Sequence, residues 1–241
     1  MIKEIVPLCT GYICYQELGG ELLPAISWLI AHKEGFILVD TGMCDTERAC
    51  NYHHRGSRQE EGFDIRSQLL KRGLKPSDIG MIIFTHLHWD HCANIDAFPN
   101  AELVVSRDEL NFALDPLPPY YRSYEINLPG IRPNFLGKNF KTISRPTSII
   151  PKITIIPTPG HTPGHISVMV EGKKNVYALA GDAVFTYENL QPDFETGIPV
   201  RPLRKFVDAE KMWSSLLFLA SSGAIVLPSH ERRVLQNSLY M

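Results

Sequence analysis

Three histidines and an aspartate, His86, His88, Asp90 and His91, crowd the six positions that follow the apolar run "GMIIFT". This stretch, "FTHLHWDHCAN" from residue 84 to 94, constrains the fold more tightly than any other. A run of β-formers belongs in a buried strand. Its far end must then open onto a hollow lined by polar side chains. His86 and His88 are separated by one residue, a spacing that puts both on one face of an extended chain. Asp90 and His91 come where a helix can begin. A strand-to-helix turn therefore directs four donors into one place. Three imidazoles and a carboxylate suit zinc, and also iron, manganese or cobalt.

The same design recurs along the chain. "EGFILVD" from Glu34 reads as a buried strand closed by a tight turn at "TG", with Asp40 at its end. "DIRSQLLKRG" reads as a helix capped by Asp64, with Ile65, Leu69 and Leu70 on one face and Gly73 at its end. "AELVVS" is a further strand, and Arg107 to Leu114 a short helix. After "ITIIP" comes "TPGHTPGH", with His161 and His165. "NVYALAGD" ends on Asp182 and "GAIVLPSH" on His230; a helix spans Asp208 to Ala220, its apolar face made by Met212, Leu216 and Leu219. Each polar candidate stands at the C-terminal end of an apolar run, where sites in α/β folds gather. Strands alternate with helices on both sides of the first motif and no linker divides the chain. One layered α/β domain is expected. Residues 115 to 150 stand apart, punctuated by Pro116, Pro118, Pro119, Pro129, Pro133 and Pro146 with aromatics between.

Composition sets the remaining bounds. The 241 residues suffice for a sizeable core, and the formal charge is -2. The basic group Arg201, Arg204 and Lys205 is small and reads as a solvated face, so no nucleic-acid partner is expected. No stretch resembles a signal peptide or a membrane span. Cys9, Cys14, Cys44, Cys50 and Cys92 match no disulfide or zinc-ribbon spacing. Reduced thiols and a cytoplasmic location are expected. Cys92 beside the motif reads as a buried thiol rather than a ligand.

The ordered set "HLHWDH", "TPGHTPGH", "GD" and a late "SH" resembles the metallo-β-lactamase superfamily over nearly the whole chain. The resemblance implies an α/β four-layer αββα sandwich. It would be a single hydrolase domain over residues 1–241, in which the irregular residues around 115–150 read as a lid-like insertion or as a packed surface loop with its aromatics turned inward. It implies a dinuclear site in which His86, His88 and His161 hold one divalent metal ion. Asp90, His91 and His230 hold the other, and Asp182 bridges them. Zinc is the first choice for both, with iron, manganese or cobalt open. His165 matches a histidine that is usually not a ligand. Asp40 would orient a ligand histidine by a hydrogen bond.

Within the superfamily the chain is most similar to the N-acyl homoserine lactonases, through "LVDTGM", "HLHWDH", "TPGHTPGHISV" and "GDAVFTYENL". Those enzymes open the ring of bacterial quorum-sensing signals. They usually place a tyrosine three residues after the bridging aspartate, beside the substrate carbonyl. Here that position is Phe185, and Tyr187 lies two residues on; both are expected to contact substrate. The implied reaction is attack on a lactone or ester by a metal-bridging hydroxide, with Asp90 also carrying a proton to the leaving alkoxide. A glyoxalase II-like thioester or small-ester hydrolase shares the ligand set. It would normally carry a basic helical region after the last histidine, where this chain runs only from His230 to Met241. A secreted β-lactamase typically has cysteine where Asp182 stands. The flavin-linked di-iron enzymes use glutamate at the position of His88. A non-catalytic binding protein on this fold often loses ligands, and all seven are present. Met1 to Tyr15 and the irregular stretch could pack on a second copy, which leaves a homodimer open.

Overall fold

The computed structural model describes residues 1–203 and 205–237, so Arg204 of the basic group lies outside the described residues. Two sheets face each other. The first runs in the order β1 (Ile2–Tyr15), β2 (Glu21–His32), β3 (Gly35–Val39), β4 (Ile79–Ile83), β5 (Glu102–Ser106) and β6 (Phe140–Ile143). Its first three strands are antiparallel and β3 to β6 are parallel. The second sheet contains β7 (Thr147–Ile150), β8 (Ile153–Pro157), β9 (Ile166–Glu171), β10 (Val176–Gly181) and β11 (Ile225–Pro228), in spatial order β11-β10-β9-β8-β7. In it only β10 and β11 pair in parallel. The helices are α1 (Thr46–Tyr52), α2 (Ile65–Leu70), α3 (Trp89–Cys92), α4 (Arg107–Leu114), α5 (Tyr121–Tyr124) and α6 (Ala209–Ser221).

Side-chain alternation builds the four layers. Trp28, Ile30, Ile37, Val39, Ile83 and Val104 face the second sheet, where Ile155, Val168, Leu179 and Leu227 meet them. Their neighbours Leu29, Leu38, Ile82, Phe84, Leu103 and Val105 face outward, against Ile65 and Leu69 of α2 and Ala113 of α4. On the far side Ala178, Ala180 and Val226 pack on Leu216 and Leu219 of α6. A strand covered on both faces has no solvent side, so it reads as a continuous apolar run. Each fully buried Leu or Ile contributes roughly 1.5–3 kcal/mol. A polar substitution at either parity of β3 or β4 would therefore damage a core.

Asp64 caps α2 by accepting from the Arg66 and Ser67 amides, and Asp208 caps α6 by accepting from Lys211. Met212, Leu216 and Leu219 form the buried face of α6, as their spacing predicts. Leu70 departs from expectation. Ile65 and Leu69 are buried, but Leu70 is 69% exposed, one residue further round the helix. Two further differences concern irregular sequence. Residues 140–150 are largely sheet, since β6 and β7 are the edge strands of the two sheets. The irregular stretch thus ends at 139. The N-terminal segment is β1, zipped to β2 from Ile2↔His32 to Tyr15↔Glu21. No helix among the described residues is long and apolar enough to cross a membrane.

Candidate metal centre

Parallel pairing sets the first wall. β3 and β4 end together at Val39↔Ile83, which places Asp40 beside Thr85. Asp40 takes a left-handed backbone (φ 62°) and turns its carboxylate under the motif. The carboxylate accepts from the Thr85 amide and hydroxyl, both at 2.8 Å, and meets His91 Nδ1 at 2.8 Å. His88 is the N-cap of α3, so Asp90 and His91 lie in the first turn of that helix.

The second wall comes from the other sheet. His161 follows β8, Asp182 follows β10 and His230 follows β11. The glycines of "TPGHTPGH" let this loop press against two helices. A Cβ at Gly160 would stand 2.2 Å from the Met212 nitrogen of α6, and one at Gly164 1.9 Å from the Glu109 nitrogen of α4. The loop is held there by contacts that no larger residue allows.

All seven predicted donors converge and all are buried. Their donor atoms form three sets, His86–His88–His161, His86–His91–Asp182 and Asp90–His91–His230, each within 4.8 Å. His161 Nε2 and His88 Nδ1 are 3.2 Å apart. Asp182 Oδ1 lies 3.2 Å from both His91 Nε2 and His230 Nε2, while its Oδ2 lies 3.4 Å from His161 Nε2. Asp90 Oδ2 is 3.8 Å from His91 Nε2 and His230 Nε2. Two ligands on one tetrahedral zinc, bound at 2.0–2.1 Å, stand roughly 3.3 Å apart. The spacing is that of ligands sharing an ion.

Hydrogen bonding makes the same point by its gaps. In the cluster the Nε2 atoms of His86, His91 and His230 and the Oδ1 of Asp182 are buried with no hydrogen-bond partner, while His88 turns its Nδ1 toward His161. Buried polar atoms are normally paired, and each orphan costs about 1–3 kcal/mol. The opposite ring nitrogens are paired: His86 Nδ1 with Thr85 Oγ1 at 3.1 Å, His161 Nδ1 with the Lys205 carbonyl at 3.0 Å, His230 Nδ1 with the Pro24 carbonyl at 2.8 Å. An Nδ1–H donating outward leaves the Nε2 lone pair pointing inward, as metal ligation requires. Burial, followed by the neighbouring imidazoles, pushes the pKa of His86 and His88 well down, which keeps them neutral. His91 goes the other way. Burial lowers it, but the carboxylates of Asp182, Asp40 and Asp90 together raise it well above its ordinary value. The donor set fits two divalent metal ions.

Two further residues hold the donors. His165 is not among them: its Nδ1 meets Thr158 Oγ1 at 3.0 Å and its Nε2 accepts from the Asp182 amide at 3.0 Å. Burial, with the neighbouring His161, brings its pKa down to about 3, so it stays an acceptor. Glu109 of α4 escaped the sequence reading. It is fully buried, and accepts from the Leu87 amide at 2.9 Å, the Tyr124 hydroxyl at 2.8 Å and the Thr162 hydroxyl. One carboxylate thus ties the loop of His86 and His88 to the loop of His161. The available signal was its place four residues before Ala113, on the helix face that is buried. Cys92 is a buried thiol donating to the Leu87 carbonyl, as expected.

Aromatic rings wall the cluster. Phe185 stacks on His230 with ring centres 4.1 Å apart, and Tyr15 meets Phe185 edge-on at 5.2 Å. Tyr15 also touches His54 at 4.9 Å, and Trp89 stacks on His53 at 4.1 Å. Tyr124 from the irregular stretch sits edge-on to His88 at 4.7 Å. Tyr187 turns elsewhere. It packs on the core between the sheets, and the Arg233 guanidinium lies 4.7 Å over its ring.

Residues 21–230 match the model of the metallo-beta-lactamase superfamily. The chain belongs to this superfamily. Among relatives of the superfamily, it is 34% identical over 180 residues to an N-acyl homoserine lactonase of Bacillus cereus, covering 71% of this chain and 68% of the relative. It is 30% identical over 212 residues to the N-acyl homoserine lactonase AiiA of Bacillus thuringiensis subsp. kurstaki, covering 81% and 80%. A solved N-acyl homoserine lactone hydrolase, with the product N-hexanoyl-L-homoserine bound at its catalytic metal centre, superposes with a TM-score of 0.73. It is 27% identical, and the match covers 97% of this chain and 95% of that one. The superfamily fold thus accounts for both sheets and for the edge at which the seven donors meet.

Proposed function

We propose that this protein is a dinuclear metal-dependent lactonase that opens N-acyl homoserine lactones. The observation that carries the reading is the convergence of His91, His161 and His230 on the two oxygens of Asp182, with the Nε2 atoms of His91 and His230 left without a hydrogen-bond partner. We assign His86, His88 and His161 to one ion, Asp90, His91 and His230 to the other, and Asp182 to both. Zinc suits such nitrogen- and oxygen-rich sets. When bound, a pair of divalent ions polarises the substrate carbonyl and brings the pKa of water toward neutral.

The chain's own residues do the rest. Asp40, the Pro24 carbonyl and the Lys205 carbonyl hold the imidazoles in one tautomer. Asp90, at 9% exposure one of the least buried donors, is assigned to carry a proton to the alkoxide released by ring opening. Phe185 presents hydrocarbon to the substrate beside His230. The residues from 115 to 139 form a cover, anchored by Tyr124 on His88 and by the Tyr120 hydroxyl donating to the Phe206 carbonyl at 2.6 Å. The five free cysteines support a reducing compartment such as the cytoplasm.

Proton release from a panel of short and long acyl homoserine lactones, simple γ- and δ-lactones and a thioester, run with and without chelator, tests this. Fast chelator-sensitive opening of the acyl homoserine lactones is expected, together with two metal equivalents per chain. Turnover of the thioester alone would replace the reading with a glyoxalase II-like one. Tight lactone binding with no turnover would leave a binding protein.

A further inference from the structure

One hydroxyl in the aromatic wall is left uncommitted by the fold. Tyr15 closes β1, where the β1–β2 hairpin reaches the donor cluster. Its ring meets Phe185 edge-on at 5.2 Å and His230 edge-on at 6.2 Å, and the tilted His54 ring lies 4.9 Å from it. The other tyrosines near the site have spent their hydroxyls. Tyr124 donates to Glu109 and Tyr120 to the Phe206 carbonyl. The Tyr15 hydroxyl has no hydrogen bond to any described residue. A phenol titrates at about pH 10, so at neutral pH this hydroxyl carries a proton to donate. Phe185, stacked on His230, offers only hydrocarbon on that side.

A carbonyl bound beside His230 gathers negative charge as it is attacked. A fixed donor aimed at that oxygen stabilises the transition state more than the ground state. We propose that Tyr15, presented beside Phe185 and His230, donates a hydrogen bond to the carbonyl oxygen of a bound lactone. This rests on the lactonase reading. Tyr15 makes and breaks no covalent bond and retains its proton throughout.

The test compares wild type with Tyr15→Phe, which keeps the ring contacts and removes only the oxygen. Three quantities are read on metal-loaded protein: metal content, kcat for hexanoyl homoserine lactone, and affinity for the ring-opened N-hexanoyl-homoserine by calorimetry. The variant should keep both metal equivalents. Its kcat should fall roughly 10- to 100-fold, and product affinity roughly tenfold. Adding Phe185→Tyr should restore part of the rate, because it returns a hydroxyl to a neighbouring ring. A variant equal to wild type in rate and product affinity would overturn the assignment while leaving the lactonase reading intact. Loss of metal in step with rate would also overturn it, by making the hydroxyl structural. A wild-type protein that neither opens nor binds the lactone would overturn the lactonase reading, and this assignment with it.

Discussion

Glu109 gives the sharpest test of how the two ligand loops are held. Glu109→Ala removes an acceptor from the Leu87 amide, the Tyr124 hydroxyl and the Thr162 hydroxyl. Each buried donor left unpaired costs about 1–3 kcal/mol, and rotation of the hydroxyls and entry of water recover part of that. A net loss of about 4 kcal/mol follows. In a domain of this size it lowers Tm by roughly 8–16 °C. Glu109→Gln behaves differently. The amide oxygen still serves Leu87 and Tyr124, which share one carboxylate oxygen, and the Thr162 hydroxyl can rotate to accept from the new NH2. Burial raises the Glu109 pKa, so removing its charge also relieves a desolvation cost. The loss for Gln is about 0–2 kcal/mol. Calorimetric melts of both variants, metal-free and metal-loaded, measure these values. An Ala variant melting within about 2 °C of wild type, or a Gln variant as damaged as Ala, would refute the reasoning.

Three other outcomes are expected. Asp40→Ala frees the His91 ring and should weaken metal affinity roughly 10- to 100-fold, read by competition with a chromophoric chelator. His91, raised well above its ordinary pKa in the metal-free protein, is protonated below that raised value and must lose its proton to ligate. Metal uptake should therefore release about one proton from it, and affinity should rise with pH; a calorimetric heat independent of the buffer's ionisation enthalpy would contradict this. Asp90→Asn, assayed with metal in excess and its metal content measured, should lose roughly 100-fold in turnover, and full turnover with both metals bound would remove its proton role.

The donor set was legible because each donor stands at the end of a strand buried on both faces, and such strands announce themselves as unbroken apolar runs. The first thirty-two residues were not legible in the same way. Pro7 and Gly11 interrupt β1, Pro24 interrupts β2, and the pairing slips between Cys9 and Tyr12. Proline and glycine argue against strand until a partner is known. The partner of β1 is a hairpin neighbour whose register no local pattern sets. Prolines hid β6 and β7 as well, since four-residue edge strands carry little periodicity. Glu109 was hidden for another reason. Its role comes from three donors that lie on separate elements, and nothing beside it in sequence points to them.

The origin of the donors gives the site its structural meaning. His86, His88, Asp90 and His91 hang from the first sheet, and His161, Asp182 and His230 from the second. Other polar links cross here too, among them the Ile166 amide donating to the Thr85 carbonyl at 3.0 Å and the Thr162 hydroxyl donating to Glu109. The Ile26 amide donates to the Ser229 carbonyl at 3.1 Å, and His230 Nδ1 donates to the Pro24 carbonyl at 2.8 Å. Apolar contact between the sheets is non-directional and tolerates small slides. Ligand bonds do not. Seven donors placed to within a few tenths of an ångström require that the sheets meet in one register. The hydrogen bonds that the ligand rings donate to the Pro24 carbonyl and the Asp40 carboxylate set that register from the protein side. A metal pair bound there locks the same register from within, so the binding energy adds to the stability of the sheet pairing. The residues that make this edge reactive are therefore the ones that fasten the two halves of the fold together.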